Sequence, residues 1–397
     1  MAGYLIVTIA VITLVPFTFR LPSAWRLTGF VTVADLVQNV ALFVPLGFAV
    51  AFAGGRALLI GAVTSLAVEI AQQFIPGRFP SAVDFATNAT GAALGAAGYQ
   101  ILSVHLGRRS QGAGIKALDL PLMGTVYLVV PLIWLVGLSQ PMDRGRLWLV
   151  ALPLLAGAIV LGSVSRHHLE PRGVPRWVGA CGAGIWAAVA LLPGWHGRPA
   201  WLAMAATGVA IATGLFAWLV AAGEPIGRRF EGVTVRRAVA PLVVFVALAA
   251  GWPLTGFGDA WVWTLGWSAA HEATSRHGIL QVLELMAGCA VIGYGVAEAR
   301  SRAVEPLERS RWILALAAGF GGLGVELIRS AHSARGASVL EGILVALATM
   351  FGGALYWRQR RFVLALLGRV PAGPSGRVEP VRYGRIFSPP EADGAPK

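Results

Sequence analysis

Apolar stretches of roughly 17 to 22 residues, close to the length of helix that crosses a bilayer's hydrocarbon, recur along the chain, separated by short breaks carrying arginine, glycine or proline. Their spacing predicts spans at 4–19, 36–53, 57–75, 84–104, 120–139, 147–164, 177–193, 201–222, 238–253, 278–297, 312–328 and 339–357. Lipid offers backbone N–H and C=O groups no water, so each span is expected to be a helix. The fold class is therefore all-α: a polytopic integral membrane helical bundle with about 12 transmembrane helices. Composition points the same way, because 56% of the residues are hydrophobic and 13% charged, against about 45–50% and about 25% in soluble domains.

No Lys or Arg precedes the run Tyr4 to Phe19, so a retained span is expected there rather than a removed signal peptide. Residues 358–397, rich in Pro, Gly and Arg, read as a mostly disordered tail. Alternate breaks hold 23 and 9 of the Lys and Arg residues. Positive residues favour the cytoplasm, which places both termini inside. The net charge of +13 is scattered through these breaks and forms no aromatic-laced patch, so topology explains it and nucleic acid is not an expected partner. Cys181 and Cys289 each lie in an apolar stretch, giving no disulfide framework and no thiol metal site.

Spans two to four carry Asp35 and Asn39, then Glu69, Gln72 and Gln73, then Asp84 and Asn88, with Arg78 in the break between spans three and four. Spacings of three and four place each helical group on one face, and the orientation above brings all of them to the outer membrane boundary. Carboxylates at a membrane-embedded position are costly and mark functional sites by default. Arg78 is the expected counter-charge to Glu69 and Asp84; a purely structural interhelical clamp is the competing reading, and Asp84 also qualifies as a helix cap.

The run Asp35-Leu-Val-Gln-Asn39-Val-Ala-Leu-Phe-Val-Pro45-Leu-Gly47, then Ser65-Leu-Ala-Val-Glu69-Ile-Ala-Gln72, then Pro76-Gly77-Arg78 with Asp84, Asn88, Gly91 and Gly95, resembles the VanZ-like family over about residues 1–105. The resemblance implies a four-helix membrane domain of the bacterial cell envelope, in the cytoplasmic (inner) membrane, associated with low-level teicoplanin resistance and without an established biochemical activity.

Residues 312–357 repeat 55–100 at an offset of 257: Glu69 matches Glu326, Arg78 matches Arg335, Asp84 matches Glu341, Gly95 matches Gly352 and Tyr99 matches Tyr356. Upstream the offset becomes 246, pairing Gln38 with Glu284, Gly47 with Gly293 and Arg56 with Arg302. Asn39 and Asn88 have Leu285 and Val345 in these registers. The expected organisation is two parallel VanZ-like four-helix units, 1–105 and 237–357, flanking a four-helix middle block at 106–236, with the tail at 358–397. Glu284, Glu326, Arg335 and Glu341 would form a second cluster, and similarity of Gly/Ala-rich helices by composition is the bland alternative.

Other polar groups carry less. His271, Glu272 and His277 lack HExxH spacing, and His167 and His168 sit in a basic break suited to anionic headgroups. Gly91-Ala-Ala-Leu-Gly95 permits close helix packing. Trp252, Trp261, Trp263 and Trp267 fit a headgroup-level belt or a ligand groove. No phosphate loop, nucleophile elbow or dinucleotide fingerprint occurs, so neither a cofactor nor a metal is expected. A non-enzymatic recognition or accessory role ranks first, with membrane lipids and a cell-wall precursor or envelope protein as partners. A membrane-embedded enzyme acting through Glu69, Arg78 and Asp84, with Ser81 as the sole nearby nucleophile, ranks second, and a transporter third.

Overall fold

The computed structural model describes residues 2–14, 19–21, 33–52, 54–76, 78, 80–107, 120–139, 144–191, 200–223, 230–255, 258, 261–267, 276–301, 307–331 and 336–366. Twelve α-helices run through them: α1 (Ala2–Leu14), α2 (Val33–Phe52), α3 (Ala57–Gln72), α4 (Ala82–Gly107), α5 (Leu120–Ser139), α6 (Ala151–Val164), α7 (Arg176–Leu191), α8 (Ala200–Gly223), α9 (Phe230–Ala250), α10 (Arg276–Ser301), α11 (Leu307–Ser330) and α12 (Val339–Leu366). Each expected span coincides with one helix. Among the described residues seven segments are long and apolar enough to cross a membrane, while the apolar helices at Ala2–Leu14, Ala57–Gln72, Leu122–Leu138 and Arg176–Leu191 are shorter. The protein is thus an all-α bundle of the membrane type, with one two-residue parallel ladder pairing Trp263 with Ala337 and Thr264 with Ser338.

Three helix ends depart from expectation. Around α6, short 3-10 and π segments extend the helical run from Arg144 to Arg172. Helix α9 begins at Phe230, so Arg236 and Arg237 lie within its first turns. Helix α12 continues to Leu366 and takes in Arg358, Arg360 and Arg361, residues expected to open the tail. Arginine is a good helix former whose stem covers apolar surface while its head reaches outward.

Helices α2 and α4 approach backbone to backbone. A Cβ on Gly47 would fall 2.0 Å from the Ala92 carbonyl oxygen, and one on Gly95 would fall 2.1 Å from that of Val44. Helices α10 and α12 meet in the same way: Gly293 lies against the Thr349 carbonyl and Gly352 against that of Ala290, with hypothetical Cβ distances of 1.9 and 1.8 Å. Aromatic rings follow suit, Phe48 meeting Tyr99 edge-on at 5.6 Å and Tyr294 meeting Tyr356 edge-on at 5.3 Å. Helix α6 packs against α5, α7, α8 and α9 and is deeply buried, with Ala156, Ala158 and Val160 at 1% exposure or less.

Candidate functional site

The expected polar residues gather where α2 begins, α3 ends and α4 begins. Ser81 organises the junction. Its hydroxyl accepts the backbone N–H groups of Val83 and Asp84 at 3.2 and 3.3 Å, capping α4, so this serine does the capping that was open to Asp84. Its own backbone N–H donates to Glu69 Oε2 at 2.8 Å, which fixes the carboxylate of α3 against the start of α4. Asp84 turns instead to α2, where Asn39 Nδ2 donates to its Oδ1 at 2.8 Å.

Two further contacts complete the frame. One turn along α4, Asn88 Nδ2 donates to Ser65 Oγ at 3.0 Å. Gln72 Nε2 donates to the Thr13 carbonyl at 3.3 Å, tying α3 to α1. Asp35 lies one turn before Asn39 on α2, and Ser81 bonds both Glu69 and the start of α4, so the three carboxylates come to one junction. Exposure is graded across it: Glu69 and Asn88 are buried, Asp35, Asn39 and Asp84 half-buried, and Arg78 exposed.

Arg78 does not close the expected clamp. Its backbone N–H donates to the Ile75 carbonyl at 3.1 Å, and its side chain pairs with neither Glu69 nor Asp84. Among the described residues those two carboxylates meet only neutral donors.

The second cluster rests on the same backbone frame. Ser338 N–H donates to Glu326 Oε2 at 2.7 Å, and Ser338 Oγ accepts the Glu341 N–H at 3.1 Å. Here a cation is built in: Arg329 Nη1 donates to Glu326 Oε1 at 3.0 Å and also bonds Glu341 Oε2. Glu326, Arg329, Ser338 and Glu341 are all within 1% of complete burial. The Trp263–Thr264 strand covers the junction, with Ser338 Oγ donating to the Gly266 carbonyl at 2.5 Å. Arg329 occupies the register of Gln72 and lies three residues beyond Glu326, a one-turn spacing that could have identified it. Arg335 lies outside the described residues.

Glu284, placed by the sequence in the same cluster, is also buried. It forms a buried pair with Arg146 of the middle block, Arg146 Nη2 donating to Glu284 Oε2 at 2.6 Å. In the Trp-rich break, Trp261, Trp263 and Trp267 are 61%, 43% and 44% exposed. His167 stacks on Phe230 at 3.7 Å. His271 and Glu272 lie outside the described residues, as does the side chain of His277, and no described group of His, Cys, Asp and Glu could hold a metal.

A cavity of about 590 Å³ separates α2 from α5, lined by Val40 and Val44 on one side and Val126, Val130 and Trp134 on the other. It is apolar, and it opens on the side of α2 away from Asn39, so it contributes no polar group to the cluster.

The cluster can hold a polar group by charge and hydrogen bonding, at a junction that runs from exposed Arg78 to buried Glu69. No curated protein and no solved structure matches the chain. A family model does match: residues 3–103 fit VanZ/LLP1, a stretch that covers α1 and all of the first cluster. The N-terminal unit of this membrane protein is a VanZ-like region.

Proposed function

We propose that the VanZ-like unit is a non-enzymatic recognition or accessory module of the bacterial cell envelope, and that its polar cluster binds an envelope ligand from the outer side of the cytoplasmic membrane. The observation that carries this reading is the pair of carboxylates, Glu69 and Asp84, held in place by Ser81 and Asn39 and met only by neutral donors among the described residues. Carboxylates at a membrane-embedded position carry a desolvation cost that a merely structural contact does not need.

Recognition is favoured over catalysis by the state of Ser81. Ser81 is 2% exposed and its hydroxyl is occupied as a helix cap, so it is not presented as a nucleophile with an adjacent base. Transport is less favoured because the charges lie at helix ends, whereas transporter sites sit near the bilayer midplane on broken helices.

The matched glycine contacts, aromatic pairs and Glu–Ser bonds support two parallel four-helix units, related by duplication and flanking a middle block. The arginine distribution supports cytoplasmic termini. Teicoplanin resistance is the phenotype in which to seek the role. The test is to measure glycopeptide sensitivity in cells carrying Asn39→Ala, Asp84→Asn or Arg78→Lys at verified protein abundance. A recognition site loses the phenotype in the first two at normal abundance, and in Arg78→Lys if the exposed guanidinium contacts ligand. Unchanged sensitivity in all three rejects the reading.

A further inference from the structure

We propose that the first cluster binds a cationic nitrogen, a primary ammonium or guanidinium group, in the position that Arg329 fills in the second. This names the ligand class of the site proposed above and rests on that reading.

The second unit provides the template. Glu326 and Glu341 receive one guanidinium between them, while a serine N–H and a serine-capped helix hold them in place. Glu69 and Asp84 occupy the same registers, and the matching bonds from Ser81 are present. What differs is the third position: Gln72 stands where Arg329 would be, and its amide is directed to the Thr13 carbonyl. Two like charges in one partly desolvated site repel each other, and a cation placed between them relieves both.

A second observation points to a donor from outside. Asn88 Oδ1 is buried without a hydrogen-bond partner, in a side chain 4% exposed. Asn88 and Ser65 form the polar layer one turn beneath Asp84 and Glu69, between the same two helices. In the second unit, where the cation is intramolecular, that layer is replaced by Gly322 and Val345. Polar lining is thus present where the carboxylates meet only neutral donors among the described residues. An ammonium with three donors, or a guanidinium with five, suits two carboxylates and an amide oxygen. Either group can arrive on a lipid headgroup or on a soluble amine.

The experiment measures binding to full-length protein in nanodiscs by a change in tryptophan fluorescence or thermal midpoint. The probes are ethylamine and methylguanidinium in solution, and phosphatidylethanolamine introduced into phosphatidylglycerol discs. Saturable binding of at least one probe is expected; response to the soluble amines identifies a free ligand, and response to the lipid alone identifies a headgroup. Glu69→Gln should weaken binding at least about thirtyfold, the usual scale for losing one partner of a desolvated charge pair. Gln72→Arg should raise the thermal midpoint without probe and abolish the probe response, because the introduced side chain occupies the position itself. The inference is overturned if no probe binds the wild type, or if Glu69→Gln and Gln72→Arg bind as the wild type does. If it is overturned while Asn39→Ala still abolishes the envelope phenotype, recognition at this site stands with a ligand of another class.

Discussion

Removing Arg329 should damage this protein far more than removing Arg78, although sequence register alone would give Arg78 the larger role. Arg329 is buried and holds Glu326 and Glu341, which are buried with it. Arg329→Ala leaves two buried carboxylates without their cation, of which Glu326 keeps only the Ser338 N–H. Breaking a buried pair in this way costs about 3–5 kcal/mol. Arg78 is exposed, and its replacement by Ala should change stability by no more than about 0.5 kcal/mol. The assay is denaturant unfolding of detergent-purified protein, followed by tryptophan fluorescence. A triple variant, Arg329→Met with Glu326→Gln and Glu341→Gln, removes the three charges together and should recover most of the loss, since apolar or neutral replacement of a whole buried ion network is often tolerated. If Arg329→Ala unfolds at the same denaturant concentration as Arg78→Ala, the buried network does not hold the second unit together and the reasoning fails.

Gly95→Val forces a side chain into the Val44 carbonyl and should cost at least about 1–3 kcal/mol by overpacking, whereas Gly98→Ala, with open space around it, should be neutral or stabilising by up to about 1 kcal/mol in the same unfolding assay. Arg146→Ala should lower protein abundance by removing a buried charge partner of Glu284, and adding Glu284→Gln should restore much of it; abundance unchanged in the single variant would remove the pair from the core. With Cys181 and Cys289 replaced, a cysteine at position 78 should react with an impermeant maleimide in intact cells while a tag after Lys397 stays protected, and the reverse pattern would invert the proposed topology.

Much of the fold was legible because the length of an apolar run reports directly on a membrane helix. What the runs could not give was where helices continue past their apolar part. Arg358, Arg360 and Arg361 end the apolar stretch but not the helix. Within the first cluster, the spacings Asp35/Asn39, Glu69/Gln72 and Asp84/Asn88 put each pair on one face of its helix, while the Asn39–Asp84 bond between helices carries no local spacing. The role of Ser81 was hidden because a serine hydroxyl and backbone N–H give no charge signal, although Ser338 repeats it at the same offset of 257. Arg329 was hidden by register: matching charge with charge draws attention to Arg78 and Arg335, and Arg329 falls opposite a neutral glutamine. The Arg146–Glu284 pair joins residues 138 apart, a tertiary contact with no local spacing to announce it.

The two clusters bear on function because they place two carboxylates at the same helix junction in different electrostatic states. One has an internal arginine and is sealed under the Trp263–Thr264 strand; the other meets neutral donors and grades outward to exposed Arg78. The frame itself therefore tolerates a guanidinium between its carboxylates, and nothing in the shared backbone contacts requires the first unit to lack one. An unneutralised pair of carboxylates is the less stable solution of the two. Where a fold admits a stabilising arrangement and a chain carries the costlier one, the difference is expected at sites that serve something other than stability. On that argument the neutral surroundings of Glu69 and Asp84 among the described residues, more than the presence of the charges, are what the binding proposed for the first unit rests on.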